Sequence, residues 1–256
     1  FDPVAIHFFS IEIRWYSLSY IIGILIGWIA GKRIFITDLA LKEKFDDFIT
    51  YLIVGIILGG RIGYILFYNP KYYLSNLSDI LKIWEGGMSF HGALIGIIFG
   101  TYLFSKTKGV SPFFLLDIIA CVSPIGIFLG RIANFINGEL IGKATNVTWS
   151  VIFPAVDLLP RHPSQLYEAV LEGLILFLIL NIIVFKTKYK IGTCSCLFLI
   201  CYGVFRIISE FFREPDIHIG YLFGNISMGI LLSSIMILIG FIIYFKRNDE
   251  NKSQKI

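Results

Sequence analysis

The chain has 256 residues, of which 56% are apolar and 16% charged, with a mean hydropathy of +0.78 and a formal net charge of +4. Soluble domains carry about 25% charged residues, so this composition excludes disorder, a collagen-like fibre and an ordinary soluble enzyme, and the modest, scattered positive charge argues against a nucleic-acid partner. What remains is a multi-pass, all-α membrane protein, read as one domain over residues 1–256.

In chain order, apolar runs bounded by charges or turn residues fall at about 16–36, 48–68, 90–105, 113–136, 166–186, 193–212 and 226–245. Each approaches the ~20 residues that a bilayer-crossing helix needs, the third being short. The runs are continuous rather than alternating, which disfavours a barrel of tilted strands. Seven transmembrane helices are therefore expected. The first run has no basic stretch before it and no small-residue cleavage site after it, so no cleavable signal peptide is expected. Between the second and third runs, Leu74–Trp84 reads as a short amphipathic helix at the membrane surface. The two long connections lie at about 69–89 and 137–165.

Thirteen of the 22 basic residues lie in one alternating set of connections and the tail: Lys32, Arg33, Lys42 and Lys44, then Lys106 and Lys108, Lys186, Lys188 and Lys190, and four after residue 245. Six lie on the opposite side, and Arg61, Arg131 and Arg206 fall inside the runs. Basic connections stay in the cytoplasm, which places the N-terminus outside, the C-terminus inside, and both long connections on the outer face. Cys121, Cys194, Cys196 and Cys201 lie in or beside apolar runs and lack the spacing of a zinc or redox site, so they read as small buried hydrophobes.

An Arg at the centre of a bilayer costs about 2.5–3.5 kcal/mol on insertion scales, so the depth of the polar residues is informative. With this orientation, Arg61, Arg131, Asn134, Arg206, Glu210 and Arg213 sit in the outer halves or outer ends of outward-running helices. His91, Gln165, Tyr167 and Glu168 begin inward-running ones, as do Arg14, Trp15 and Tyr16. Tyr202, Arg206, Glu210 and Arg213 follow i, i+4, i+8, i+11 spacing, one stripe on one helix face. Snorkelling and aromatic belts account for Arg14, Trp15 and Arg213; they do not account for Glu168, Glu210 or Arg206. The arginines outnumber the carboxylates seen beside them, and guanidinium suits phosphate through paired hydrogen bonds. A phospholipid headgroup is the anion available at that depth.

The run Gly130-Arg131-Ile132-Ala133-Asn134-Phe135-Ile136-Asn137-Gly138-Glu139 resembles the signature of the prolipoprotein diacylglyceryl transferases. So do Trp84 through Gly92, Arg161 through Glu168, Tyr202 through Arg206, and Glu210 through Asp216, together with Phe1-Asp2-Pro3 and Arg14-Trp15-Tyr16. Departures from the family pattern are Ala93 and Ala133 where glycine is common, Ile141 and Lys143 where Trp and Arg occur nearby, and Ile230 where the last helix commonly carries Gln. The resemblance implies transfer of a diacylglyceryl group from phosphatidylglycerol to the lipobox cysteine of a preprolipoprotein, with no metal or cofactor, in the bacterial inner membrane with the site toward the outer leaflet.

That chemistry needs a phosphate grip, a thiolate and alignment of both reactants. Under the resemblance, Arg131 and Arg206 grip the phosphate, with Arg61, Arg213 and Tyr202 in the same substrate layer. Asn134, Asn137 and Tyr16 orient the glycerol headgroup. Glu210 holds Arg206 or competes with Glu139 for the base role, for which His91 is the first candidate by intrinsic pKa. Gly138 and Gly142 permit tight backbone turns beside the lipid, while Gln165 and Glu168 orient their neighbours. A transporter is the main alternative, but it calls for polar groups at the midplane. A non-catalytic binder of anionic lipid needs the arginines but not Glu210, His91 and Glu139. An intramembrane protease is disfavoured by the absence of HExxH and of a facing Asp pair.

Overall fold

The computed structural model describes residues 2–8, 11–36, 38–67, 70–82, 87–187, 189–215, 221–222 and 226–248. It begins with the strands β1 (Val4–Phe8) and β2 (Ile11–Arg14), followed by α1 (Trp15–Ala30), which closes in a π-helical turn over Gly31–Phe35. Then come α2 (Leu39–Phe67), α3 (Pro70–Ser75), a 3-10 turn (Leu77–Leu81), α4 (Phe90–Lys108) and α5 (Pro112–Asn137). The short strands β3 (Val151–Ile152) and β4 (Pro160–Arg161) lead into α6 (Ser164–Glu168), a π-helical stretch (Ala169–Ile175) and α7 (Leu176–Lys186), which run on as one helix. The chain continues through α8 (Thr193–Glu210), β5 (Tyr221–Leu222), β6 (Ile226–Ser227) and α9 (Met228–Asn248). Each strand pair is an antiparallel two-stranded ribbon.

Six helices among the described residues are long and apolar enough to cross a membrane: Trp15–Phe35, Leu39–Leu66, Pro112–Asn137, Ser164–Lys186, Thr193–Glu210 and Met228–Lys246. The short run at about 90–105 is helical as α4 but is not among the six. Only 11–33% of each spanning window is buried within the protein. The remaining faces present Leu25, Leu58, Leu178 and Leu238 outward, which is stable only in hydrocarbon. In place of a single helix over Leu74–Trp84 there are two short turns, with Leu74, Leu77 and Leu81 exposed; Trp84 lies outside the described residues.

The chain divides into two compact units, one built from residues before Lys32 and from Asp117 onward, the other Lys32–Leu116. In the second unit α2 packs along α4 through a seam of glycines. A side chain built at Gly59 would meet Gly96 Cα at 2.8 Å, one at Gly63 would meet Gly92 Cα at 2.7 Å, and one at Gly100 would meet the Tyr51 carbonyl at 2.7 Å. Small residues at i, i+4, i+8 let helix backbones touch, which is how spans associate where lipid is as apolar as leucine. Ser89 caps α4, its Oγ accepting from Gly92 N–H. In the first unit, Gly23 and Gly27 of α1 lie against Gly126 and Val122 of α5, and α8 packs on α9. Asp117, fully buried, accepts from the Gly192 and Ser195 amides at 2.6 and 2.7 Å. It thereby fixes the start of α8 against α5, satisfying amides that a helix N-terminus leaves open.

Candidate active site

In the first unit, three helices and the turn after α8 bring six charged side chains into one buried cluster. Arg131 projects from α5. Its Nη1 lies 2.8 Å from Glu168 Oε2 and its Nη2 donates to Glu172 Oε2 at 3.0 Å. Arg206 projects from α8. Its Nη1 donates to Glu168 Oε1 at 2.8 Å and lies 3.6 Å from Glu172 Oε1, while its Nη2 pairs with Glu210 one turn on. Arg213 Nη1 stands 3.6 Å from Glu168 Oε1. Glu168 is therefore the hub, touching all three guanidinium groups. Glu168 and Glu172 lie four residues apart where the helix passes into its π-helical stretch. π segments inside α-helices recur at functional sites.

Glu168 and Glu172 are more deeply buried than Arg131 and Arg206, while Glu210 and Arg213 lie between them at 6% and 7% exposure. The Glu168 and Glu172 side chains have 0% exposure, whereas those of Arg131 and Arg206 keep 15% and 11%. The carboxylates beside them orient the forks and offset the cost of carrying cations in a membrane. Tyr202 is buried beside Arg131, Arg206 and Glu172. The fourth wall is the start of α9: Ser227 Oγ donates to Glu210 Oε2 at 2.8 Å and accepts from the Ile230 amide at 3.2 Å. Ile230 joins this wall through its backbone amide, with no polar side chain of its own.

Beside the cluster, the end of α5 turns sharply. Gly138 has φ +69° and Leu140, unusually for a branched residue, has φ +54°, a strained conformation that surrounding structure must hold. The start of α6 holds it: Ser164 Oγ donates to the Leu140 carbonyl at 3.1 Å and Gln165 Nε2 to the Glu139 carbonyl at 2.6 Å. Glu139 is left exposed, with Asn137 Nδ2 3.4 Å from its Oε1. Asn134 is buried, and its carbonyl accepts from the Glu139 amide. Tyr16, half-exposed at the start of α1, pairs with Tyr20 at 3.0 Å and lies within electrostatic reach of Glu139 and Arg131. Two buried acceptors, Asn137 Oδ1 and Gln165 Oε1, have no donor among the described residues.

The connection after α5 is a three-segment platform. Residues 141–145 lie between 212–214 and 160–162, with Lys143 N–H donating to the Phe212 carbonyl at 2.8 Å and His162 N–H to the Lys143 carbonyl at 3.0 Å. A side chain at Gly142 would overlap His162, whose Cβ would stand 2.8 Å away, so only glycine allows this stacking. Arg161 ties the platform together, donating to the Gly142 carbonyl at 2.9 Å and pairing with Asp157 and Glu214. The Arg161 guanidinium holds the Asp157 carboxyl below its ordinary pKa. His162, Tyr167, Trp149 and Phe212 form an aromatic cluster beneath, with Trp149 Nε1 donating to Tyr167 Oη at 2.7 Å.

The sequence-predicted residues Arg131, Asn134, Asn137, Gly138, Glu139, Gly142, Gln165, Glu168, Tyr202, Arg206, Glu210, Arg213 and Tyr16 thus fall in one unit. Arg61 and His91 belong to the other. Arg61 is buried, and its guanidinium donates to the carbonyls of Asp79, Ile80, Lys82 and Gly87 at 2.5, 2.9, 3.1 and 3.3 Å, with the Tyr73 ring 5.1 Å away. The Asp79, Ile80 and Lys82 carbonyls lie at the end of the 3-10 turn, so Arg61 acts as its C-terminal cap and also reaches Gly87. His91 is the second residue of α4, and its side chain lies outside the described residues. The expected excess of cations is corrected in the Arg131 cluster, where three carboxylates meet three guanidinium groups. Glu172 is the residue that the sequence reading passed over. Its signal was present, since a lone Glu inside an apolar run is too costly to stand unpaired.

A family model described as prolipoprotein diacylglyceryl transferase matches residues 3–246. The chain belongs to this family. Proteins named phosphatidylglycerol--prolipoprotein diacylglyceryl transferase are similar to it at 52% identity in Rickettsia felis, over 93% of this chain and 94% of the relative, and at 53% in Rickettsia typhi with the same coverage. The relative from Rickettsia bellii is 52% identical over 96% of this chain and 95% of its own length. The family match covers every helix of the arginine–glutamate cluster and the platform beside it.

Proposed function

We propose that this protein transfers the diacylglyceryl group of phosphatidylglycerol to the lipobox cysteine thiol of prolipoproteins. It crosses the bacterial inner membrane seven times, α4 included, with its N-terminus outside, its C-terminus in the cytoplasm and the site toward the outer leaflet. The observation that carries this reading is the pair Arg131 and Arg206, partly exposed beside the sealed carboxylates of Glu168 and Glu172. Such a pair offers guanidinium donors to a phosphodiester while its other donors stay fixed. The glycerol carbon bearing the phosphate is attacked by the cysteine sulfur. A C–S bond forms, the C–O bond breaks with its electrons passing to the phosphate oxygen, and the thiol proton goes to a base. Guanidinium donors already in place stabilise the charge that develops on the leaving phosphate. The acceptors Asn137 Oδ1 and Gln165 Oε1 suit the hydroxyl donors of a glycerol headgroup. Of the carboxylate candidates for the base, Glu139 is better placed than Glu210, whose oxygens are taken by Arg206 and Ser227.

The test is a reconstituted assay in which purified protein, phosphatidylglycerol and a lipobox peptide are followed by mass spectrometry. The expected result is a diacylglyceryl mass gain on cysteine that Arg131→Ala abolishes. Turnover near the wild-type rate in folded Arg131→Ala protein would remove the phosphate-gripping role.

A further inference from the structure

The transfer changes the charge of the bound anion. Phosphatidylglycerol enters as a phosphodiester with one negative charge, and the glycerol phosphate released is a monoester that carries nearly two at neutral pH. A site built only of arginines would hold its product more tightly than its substrate. The cluster instead sets three carboxylates against three guanidinium groups, and the third, Glu172, is sealed from solvent with its oxygens 3.0 Å from Arg131 and 3.6 Å from Arg206. These are the two arginines assigned to the phosphate. Glu168 already orients both of them at 2.8 Å, so orientation alone does not call for a second buried carboxylate.

We propose that Glu172 is a positioning residue acting as the counter-charge of the arginine pair, keeping the site from retaining its anionic product. This rests on the transferase reading above. In full-length protein, Glu172→Gln keeps the side-chain size and removes one negative charge within a few ångströms of both arginines. At an effective dielectric near 20, a charge about 7 Å from a bound phosphate is worth at least about a tenfold change in affinity.

The experiment measures glycerol 1-phosphate binding by calorimetry and its inhibition of transfer in the wild type, Glu172→Gln and Glu172→Asp. The expected result is at least about tenfold tighter glycerol phosphate binding in Glu172→Gln, with a lower kcat and an unchanged or lower KM, and wild-type product affinity in Glu172→Asp. A merely structural defect would loosen binding in both variants, and that outcome, or unchanged binding in Glu172→Gln, overturns the proposal. If Glu172→Gln does not fold, the wild type decides through its preference for glycerol phosphate over the monoanionic methyl ester of glycerol phosphate. A preference under about tenfold fits a balanced cluster, and a larger one refutes it. Wild-type protein that transfers nothing would sink the transferase reading, and the product role with it, whereas unchanged binding in a Glu172→Gln enzyme whose wild type transfers normally sinks the counter-charge alone.

Discussion

Arg61 offers a test that separates holding the protein from holding the substrate. Replacing it with Met keeps most of the apolar stem and removes every guanidinium donor. Four carbonyls of the 79–87 segment then lose a charged partner, and such hydrogen bonds are worth about 1.5–3 kcal/mol each when buried. They are not additive, and once the segment opens water satisfies the carbonyls, so the realistic cost is about 3–6 kcal/mol of local opening free energy. That corresponds to a loss of about 10²–10⁴ in amide protection. Hydrogen–deuterium exchange read by mass spectrometry on peptides spanning 70–87, with the middle of α4 as internal reference, measures it directly. Unchanged protection in Arg61→Met, accompanied by a raised KM for phosphatidylglycerol, would refute the capping role and return Arg61 to the headgroup.

The hub of the cluster should be less forgiving. Glu168→Gln leaves three buried guanidinium groups short of a carboxylate, a change that costs about 3–5 kcal/mol. The thermal midpoint, followed by a thiol-reactive dye on the buried cysteines, should fall by about 6–20 °C and transfer by about 100-fold. A shift under 1 °C with more than half the activity would show that the carboxylate does not organise the arginines. In the other unit, Gly96→Leu places a side chain against the α2 backbone and should abolish accumulation of folded protein in membranes, whereas Ile95→Leu, on an exposed position, should be silent by the same measurement.

The helices were legible because hydrocarbon demands long unbroken apolar runs, and the pair Arg206–Glu210 was legible because one helix turn brings i and i+4 together. Partners from different helices were not. Glu172 looked like part of an apolar run, and only the fold sets it against Arg131 and Arg206. The same limit explains Arg61: depth in a span indicates that a cation needs acceptors, not whether those acceptors are a lipid phosphate or the chain's own carbonyls. Ser227 escaped notice because its role depends on where α9 begins relative to Glu210. The strands β3 and β4 are two residues long, and their pairing is set by Arg161 and the segments it fastens rather than by any local alternation.

The glycine seam between α2 and α4 also bears on traffic through the membrane. Along it, not even a methyl group fits between the two backbones. A fatty acyl chain is a string of methylenes, each as wide as that missing methyl. This pair of helices is thus closed to lipid along its seam, and no acyl chain passes between α2 and α4.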